Sequence, residues 1–245
     1  MTGDGVVGTI AGEVRGTADR GVWSFKGVPY GDDTSGPARF RAPRPPRPWS
    51  GVRDCSSYGP SCPQMTIEDM LGVAPAPEAE MYMGVLNAER SVAEDCLALN
   101  VWTGDLDPEG RRPVVVWLHG GGWSTGSASW PLYDFTNLAR RRDLVVVSVN
   151  HRVGVLGFLD LSTFDQAYAD SGNAGMLDIV AALAWVRDNI DAFGGDPGNV
   201  TVFGESGGGA KTSTLLAMPA ARGLLHHAFI MSGVLGRAQP PEHAA

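Results

Sequence analysis

The chain has 245 residues, 43% hydrophobic and 19% charged, an ordinary globular composition. At about 150 residues per domain it holds one large domain or two small ones, with enough chain to bury a core without disulfide or metal staples. The net charge of −8, spread along the chain, argues against a nucleic-acid or anionic-membrane partner, and three cysteines exclude a disulfide scaffold.

The opening residues show neither a basic nor an apolar leader region. No apolar run approaches a membrane span, so a cytoplasmic protein is expected. VVGTIAGEVRG and VWSFKGVPYG alternate apolar with small or polar residues and read as short strands of a meander. Gly36 to Trp49 is proline-rich, which excludes a helix interior or a central strand. It is extended, either a linker or a segment pinned to a surface through Phe40 and Trp49. Pro63 to Ala93 carries Met65, Met70, Met81, Tyr82 and Met83 in weak periodicity, which fits an adaptable pocket rim or a surface loop.

Beyond this point the pattern changes. CLALNVW, VVVWLH and LVVVSVNH are three strands, and their valine runs imply burial on both faces. Asn173 is placed to cap a helix. Met176, Ile179, Val180, Leu183, Val186 and Ile190 recur at helical spacing until Gly194-Gly195-Asp196-Pro197 stops it. VTVF is a strand, GESGGG a tight turn, AKTSTLLAMP the start of a helix and HHAFIMSG a further strand. Helices alternating with buried strands predict an α/β architecture.

Two motifs carry chemistry. Gly204-Glu205-Ser206-Gly207-Gly208 is a GxSxG turn between strand and helix, which presents a serine hydroxyl above the sheet edge at a helix N-terminus. A phosphate-binding loop is rejected, because Ala210 separates Gly209 from Lys211 and turns the lysine about 100° around the helix. The second motif, His119-Gly120-Gly121-Gly122-Trp123, follows VVVWL and suits an oxyanion hole built from the amides of Gly121, Gly122 and Gly207. His119 is expected to anchor this loop rather than move protons. No HExxH or CxxC is present, so neither metal nor cofactor is expected.

These residues resemble the type B carboxylesterases, which include para-nitrobenzyl esterases and cholinesterases. FKGVPYG, RFRAPRPPRPWSGV, YGPSCPQ, EDCLALNVW, HGGGWSTGS, NHRVGVLGF and FGGDPGNVTVFGESGGG spread the likeness over almost the whole chain. The resemblance implies an α/β-hydrolase fold, with residues 1–245 as the N-terminal part of a single domain, ending before the last strands of the central mixed sheet. It implies hydrolysis of a small-molecule carboxylic ester. It also matches Cys62 and Cys96 to the family's first disulfide pair, although two reduced thiols fit a chain without a leader equally well, and Cys55 has no counterpart. Gly207, Ala98 and His151 depart from the usual Ala, aromatic or Thr, and Tyr. Glu205 tunes the site electrostatically or is merely tolerated beside the nucleophile. Ser232 either bonds behind the turn or simply ends a strand.

A serine esterase also needs a histidine base and an acid to orient it, which in these hydrolases follow the nucleophile as acid and then His. After Ser206 the only acid is Glu242, and the histidines are His226, His227 and His243. Glu242 and His243 are adjacent and ill-suited to a relay, while His226 and His227 match structural positions. The expectation is an ester hydrolase whose acid and His come from a complementing C-terminal segment. The alternatives are a non-catalytic interaction protein and an inert gene remnant.

Overall fold

A computed structural model describes residues 4–65 and 91–233. The chain begins with a hairpin of β1 (Val6–Gly8) and β2 (Glu13–Arg15), followed by β3 (Thr17–Asp19) and the longer β4 (Val22–Pro29). After the proline-rich segment, β5 (Val52–Asp54) joins β2 in parallel and completes a three-stranded sheet. The proline-rich segment is pinned rather than free. The Trp49 amide donates to the Ala11 carbonyl, its indole Nε1 donates to the Glu13 carbonyl at 3.0 Å, and Arg53 stacks over its ring.

The main sheet has seven strands in the order β10-β9-β7-β8-β6-β4-β3. Its members are β3, β4, β6 (Ala98–Thr103), β7 (Arg112–Leu118), β8 (Val145–Val149), β9 (Gly195–Glu205) and β10 (His227–Met231). β7 to β10 run parallel, and β6, β4 and β3 continue the sheet antiparallel. Although β6 and β7 are consecutive in sequence, β8 lies between them. The α-helices among the described residues are α1 (Thr136–Arg142), α2 (Gly154–Phe158), α3 (Ala174–Asn189) and α4 (Gly207–Ala217). This is the α/β-hydrolase arrangement.

The valine runs are buried on both faces, as their composition requires. Val114, Val116 and Leu118 of β7, with Val145, Val147 and Val149 of β8, pack against Ile179, Leu183 and Val186 of α3. The alternate residues point the other way. Val146 and Trp102 meet Ala139 of α1, while Trp117 packs on Tyr133 and Phe203, with ring centroids 5.1 and 4.9 Å apart.

Two boundaries differ from the sequence reading. β9 starts at Gly195, earlier than VTVF, because Gly195 pairs with Arg112 before a register irregularity that accommodates Pro197. Asn173 does precede α3, but its side chain makes no cap bond, and a 3-10 turn over Ser171–Asn173 leads into the helix instead. Among the described residues β10 is outermost, and its Phe229 and Ile230 are exposed. No helix among the described residues is long and apolar enough to cross a membrane.

Candidate active site

Parallel β7, β8 and β9 end side by side, and ligands of open α/β sheets bind at such carboxyl ends. Leu118 pairs with both Val149 and Gly204, so His119 and Asn150 leave the sheet level with Glu205, the last residue of β9. The chain then turns sharply at Ser206, whose φ of 54° and ψ of −119° put a non-glycine residue in left-handed backbone. Two bonds hold that strain. The Ser206 amide donates to the Met231 carbonyl at 2.9 Å, and its carbonyl accepts from Ala210 as the first bond of α4. Serine ordinarily caps a helix through its hydroxyl. Here the twisted backbone carries the side chain away, so it makes no cap bond and Ser206 stays exposed at the helix N-terminus.

The glycine loop lies directly against this turn. A Cβ on Gly207 would stand 2.3 Å from the Gly122 carbonyl oxygen, so only glycine lets the loop approach the helix start this closely. Gly121 has a φ of 93° and its carbonyl accepts from Ser124 and Thr125, closing a tight turn. The amides of Gly121, Gly122 and Gly207 donate to no atom among the described residues. Three amides without a partner among the described residues thus lie on the loop and helix start beside the serine. Glu205 is exposed, and its carboxylate lies against Gly120. Among the described residues Ser232 makes no hydrogen bond behind the turn. The backbone of the preceding Met231 does that work.

His119 is fully buried. Its Nδ1 lies 2.8 Å from the Gly120 carbonyl, and burial, aided by the nearby Lys211 charge, pushes it down to about 3. It is therefore a neutral anchor and not a base. His226 is also structural, its Nδ1 accepting from the Val200 amide at the start of the regular part of β9. Glu242 and His243 lie outside the described residues, as do Met70, Met81, Tyr82 and Met83. Cys55, Cys62 and Cys96 are all free and buried, Cys62 Sγ accepts from the Val153 amide at 3.4 Å, and burial raises the Cys55 thiol to about 11. No group of three or more His, Cys, Asp or Glu side chains among the described residues is placed to hold a metal ion.

Several supporting residues were not singled out from sequence. Gln64 clamps the far end of the glycine loop, accepting from the Gly126 amide at 2.6 Å and donating to the Gly126 carbonyl at 3.0 Å. Asn150, just past β8, accepts from Ala128 and Ser127 and donates to Pro60 and Ser129. Arg152 and Asp178 form a buried bidentate ion pair at 2.7 and 2.8 Å beneath the β8 end. Lys211, in α4, is fully buried with no carboxylate partner among the described residues. Beside the loop, Gln64, Met65, Trp123, Val155 and Phe158 help line a largely apolar cavity of about 470 Å³.

Comparison with known proteins matches residues 3–238 to the model of the carboxylesterase family. A para-nitrobenzyl esterase of Bacillus subtilis is 46% identical over 240 residues, covering 98% of this chain and 46% of that protein. Acetylcholinesterase of Gallus gallus is 43% identical over 234 residues, covering 93% of this chain and 29% of its own length. A solved para-nitrobenzyl esterase superposes with a TM-score of 0.87 at 45% identity, covering 99% of this chain and 46% of that one. A polyester-hydrolysing esterase of Clostridium hathewayi gives 0.83 at 47% identity, covering 94% and 44%. The chain spans less than half the length of these relatives.

Proposed function

The chain belongs to the carboxylesterase family, and from that premise we propose that it hydrolyses small-molecule carboxylic esters with Ser206 as nucleophile. The observation that carries this reading is the exposed, uncapped Ser206 in left-handed backbone, set against the unpaired amides of Gly121, Gly122 and Gly207. Ser206 Oγ adds to the ester carbonyl carbon as its proton passes to a base. The carbonyl oxygen becomes an anion held by the three amides, each donor worth ~2.7–4 kcal/mol in the transition state. The C–O bond to the alcohol then breaks, the alcohol departs with the proton, and water releases the acid from the acyl-serine by the same route. The apolar cavity along Trp123, Val155 and Phe158 supplies a seat for a hydrocarbon group of the ester.

The base and its acid are assigned to a complementing segment of the same α/β-hydrolase domain, of which residues 1–245 form the N-terminal part. The buried, neutral His119 and the backbone-bonded His226 do not fill that role. An activity-based fluorophosphonate probe tests the nucleophile. Adduct mass on the Ser206 peptide, absent from Ser206→Ala, is expected. Equal labelling of the two proteins refutes the assignment. Turnover of an activated aryl ester is expected to rise by on the order of 10³-fold or more when the complementing segment is supplied, because a serine without its base is a weak nucleophile. Full turnover by the chain alone would place a base within it.

A further inference from the structure

We propose that the ammonium of Lys211 is a positioning residue for the oxyanion loop, tying the loop to the nucleophile helix and lending its charge to the anion that forms there. This rests on the reading of Ser206 and the glycine amides given above. Lys211 lies five residues beyond Ser206 in α4, with 0% exposure. Its Nζ donates to the His119 carbonyl at 3.4 Å and stands 5.8 Å from the centroid of the Trp123 ring. His119 and Trp123 bracket Gly121 and Gly122, so one side chain of α4 touches the loop on both sides of its donors.

Among the described residues, the surroundings of this cation contain acceptors but no counter-charge. The His119 and His151 rings stack at 4.6 Å and 3°. Each Nδ1 lies 2.8 Å from a backbone carbonyl, of Gly120 and Arg152 respectively, and a carbonyl only accepts. Both rings therefore carry their proton on Nδ1 and present a lone pair at Nε2. Both Nε2 atoms are buried without a partner among the described residues. The charged and titratable groups facing Lys211 are His119 from the β7 end and His151 from the β8 end. Arg152, next along, is neutralised by Asp178 of α3, and the Glu205 carboxylate at the β9 end lies against Gly120. Burial holds both histidines neutral and lowers the lysine to about 7.

A buried, unpaired ammonium destabilises the fold, and an apolar side chain of equal length would not. The cation finds an opposite charge only when the ester oxygen becomes an anion on the other side of the same loop. An interaction present in the transition state and missing from the ground state is the kind that raises a rate. Loss of the lysine charge, by substitution or by rising pH, therefore slackens the loop and slows attack.

The test compares wild type, Lys211→Met and Lys211→Arg at pH 6 and pH 9. Two quantities are measured: the rate of fluorophosphonate attachment to Ser206, and amide hydrogen exchange in the peptide spanning residues 119–126, corrected for intrinsic pH effects. Lys211→Met is expected to label about tenfold more slowly than wild type at pH 6, short of the roughly 10²–10³-fold loss of an oxyanion donor itself. The two should label alike at pH 9. Lys211→Arg should keep its labelling advantage over Lys211→Met at both pH values. Loop exchange should be faster in Lys211→Met while no other peptide exchanges faster, and in wild type it should accelerate between pH 6 and pH 9. Wild-type labelling and wild-type loop exchange in Lys211→Met at both pH values overturn the proposal. If Ser206→Ala labels like wild type, the nucleophile reading has failed instead. Loop exchange then decides the role of Lys211, and exchange indifferent to both substitution and pH overturns it.

Discussion

Replacing Lys211 by Met should stabilise the fold, by an amount that depends on pH. Burial lowers the ammonium from an ordinary 10.5 to about 7. The unfolded chain holds this proton up to about pH 10.5, whereas the folded chain releases it above about pH 7. Between these values the unfolded state binds more protons, so wild-type stability rises with pH across that window. At about 1.4 kcal/mol per pKa unit, the buried charge costs the fold on the order of 5 kcal/mol at pH 7 and below. The Lys211→Met variant escapes that cost. Its advantage should shrink by about 1.4 kcal/mol per pH unit and vanish near pH 10.5, so roughly 2.7 kcal/mol of it is lost between pH 7 and pH 9. Urea unfolding followed by tryptophan fluorescence at pH 7, 8 and 9 measures the difference directly. Parallel stability–pH curves for the two proteins would refute the reasoning, because they would mean that the folded environment of Lys211 does not disfavour its charge.

Asp178→Asn should destabilise the chain by about 3–5 kcal/mol, since it leaves the Arg152 guanidinium buried without its anion. The double variant Arg152→Met/Asp178→Leu should recover most of that loss in the same urea assay, and a single variant as stable as wild type would contradict it. Gly207→Ala, which restores the residue usual in the resembling family, should push the Gly122 carbonyl away from the helix start, because the added Cβ would otherwise stand 2.3 Å from it. A displacement on the order of 1 Å at the oxyanion donors should slow probe attachment to Ser206 by about 10²-fold, and an unchanged rate would show that the loop accommodates the methyl group without moving its amides.

The chemistry was legible where it is local. Ser206 and its glycines, and the loop from His119 to Trp123, are each written in a few consecutive residues whose backbone needs only glycine can meet. The strands of the parallel core were legible from their valine runs. Sequence order did not reveal that β8 inserts between β6 and β7, because pairing order is set by how helices cover the two faces. Pro197 argued for a break, yet β9 runs through it by taking up an irregular register with β7. The supports of the site were hidden for a different reason. Gln64 reaches 62 residues to Gly126, and Lys211 reaches 92 residues to His119. No spacing rule links a side chain to a partner that far away. Lys211 drew notice only as a lysine out of register for binding phosphate. Its isolation from carboxylates became visible once β7, β8 and α4 were assembled around it.

The bond from the Ser206 amide to the Met231 carbonyl ties the backbone of the proposed nucleophile to β10. Four of the five residues of β10 are exposed, and among the described residues it has a neighbour on one side only. The left-handed turn at Ser206 is therefore braced by the most weakly supported strand of the parallel core. The 2.9 Å bond from the Ser206 amide, together with the β9–β10 ladder that ends at Glu205 and Met231, couples the backbone of the proposed nucleophile to β10. A strand pairing with the side of β10 that is open among the described residues is expected to stiffen Ser206 as well. The expected outcome is a single cooperative slowing of hydrogen exchange at Ser206 and along residues 227–231.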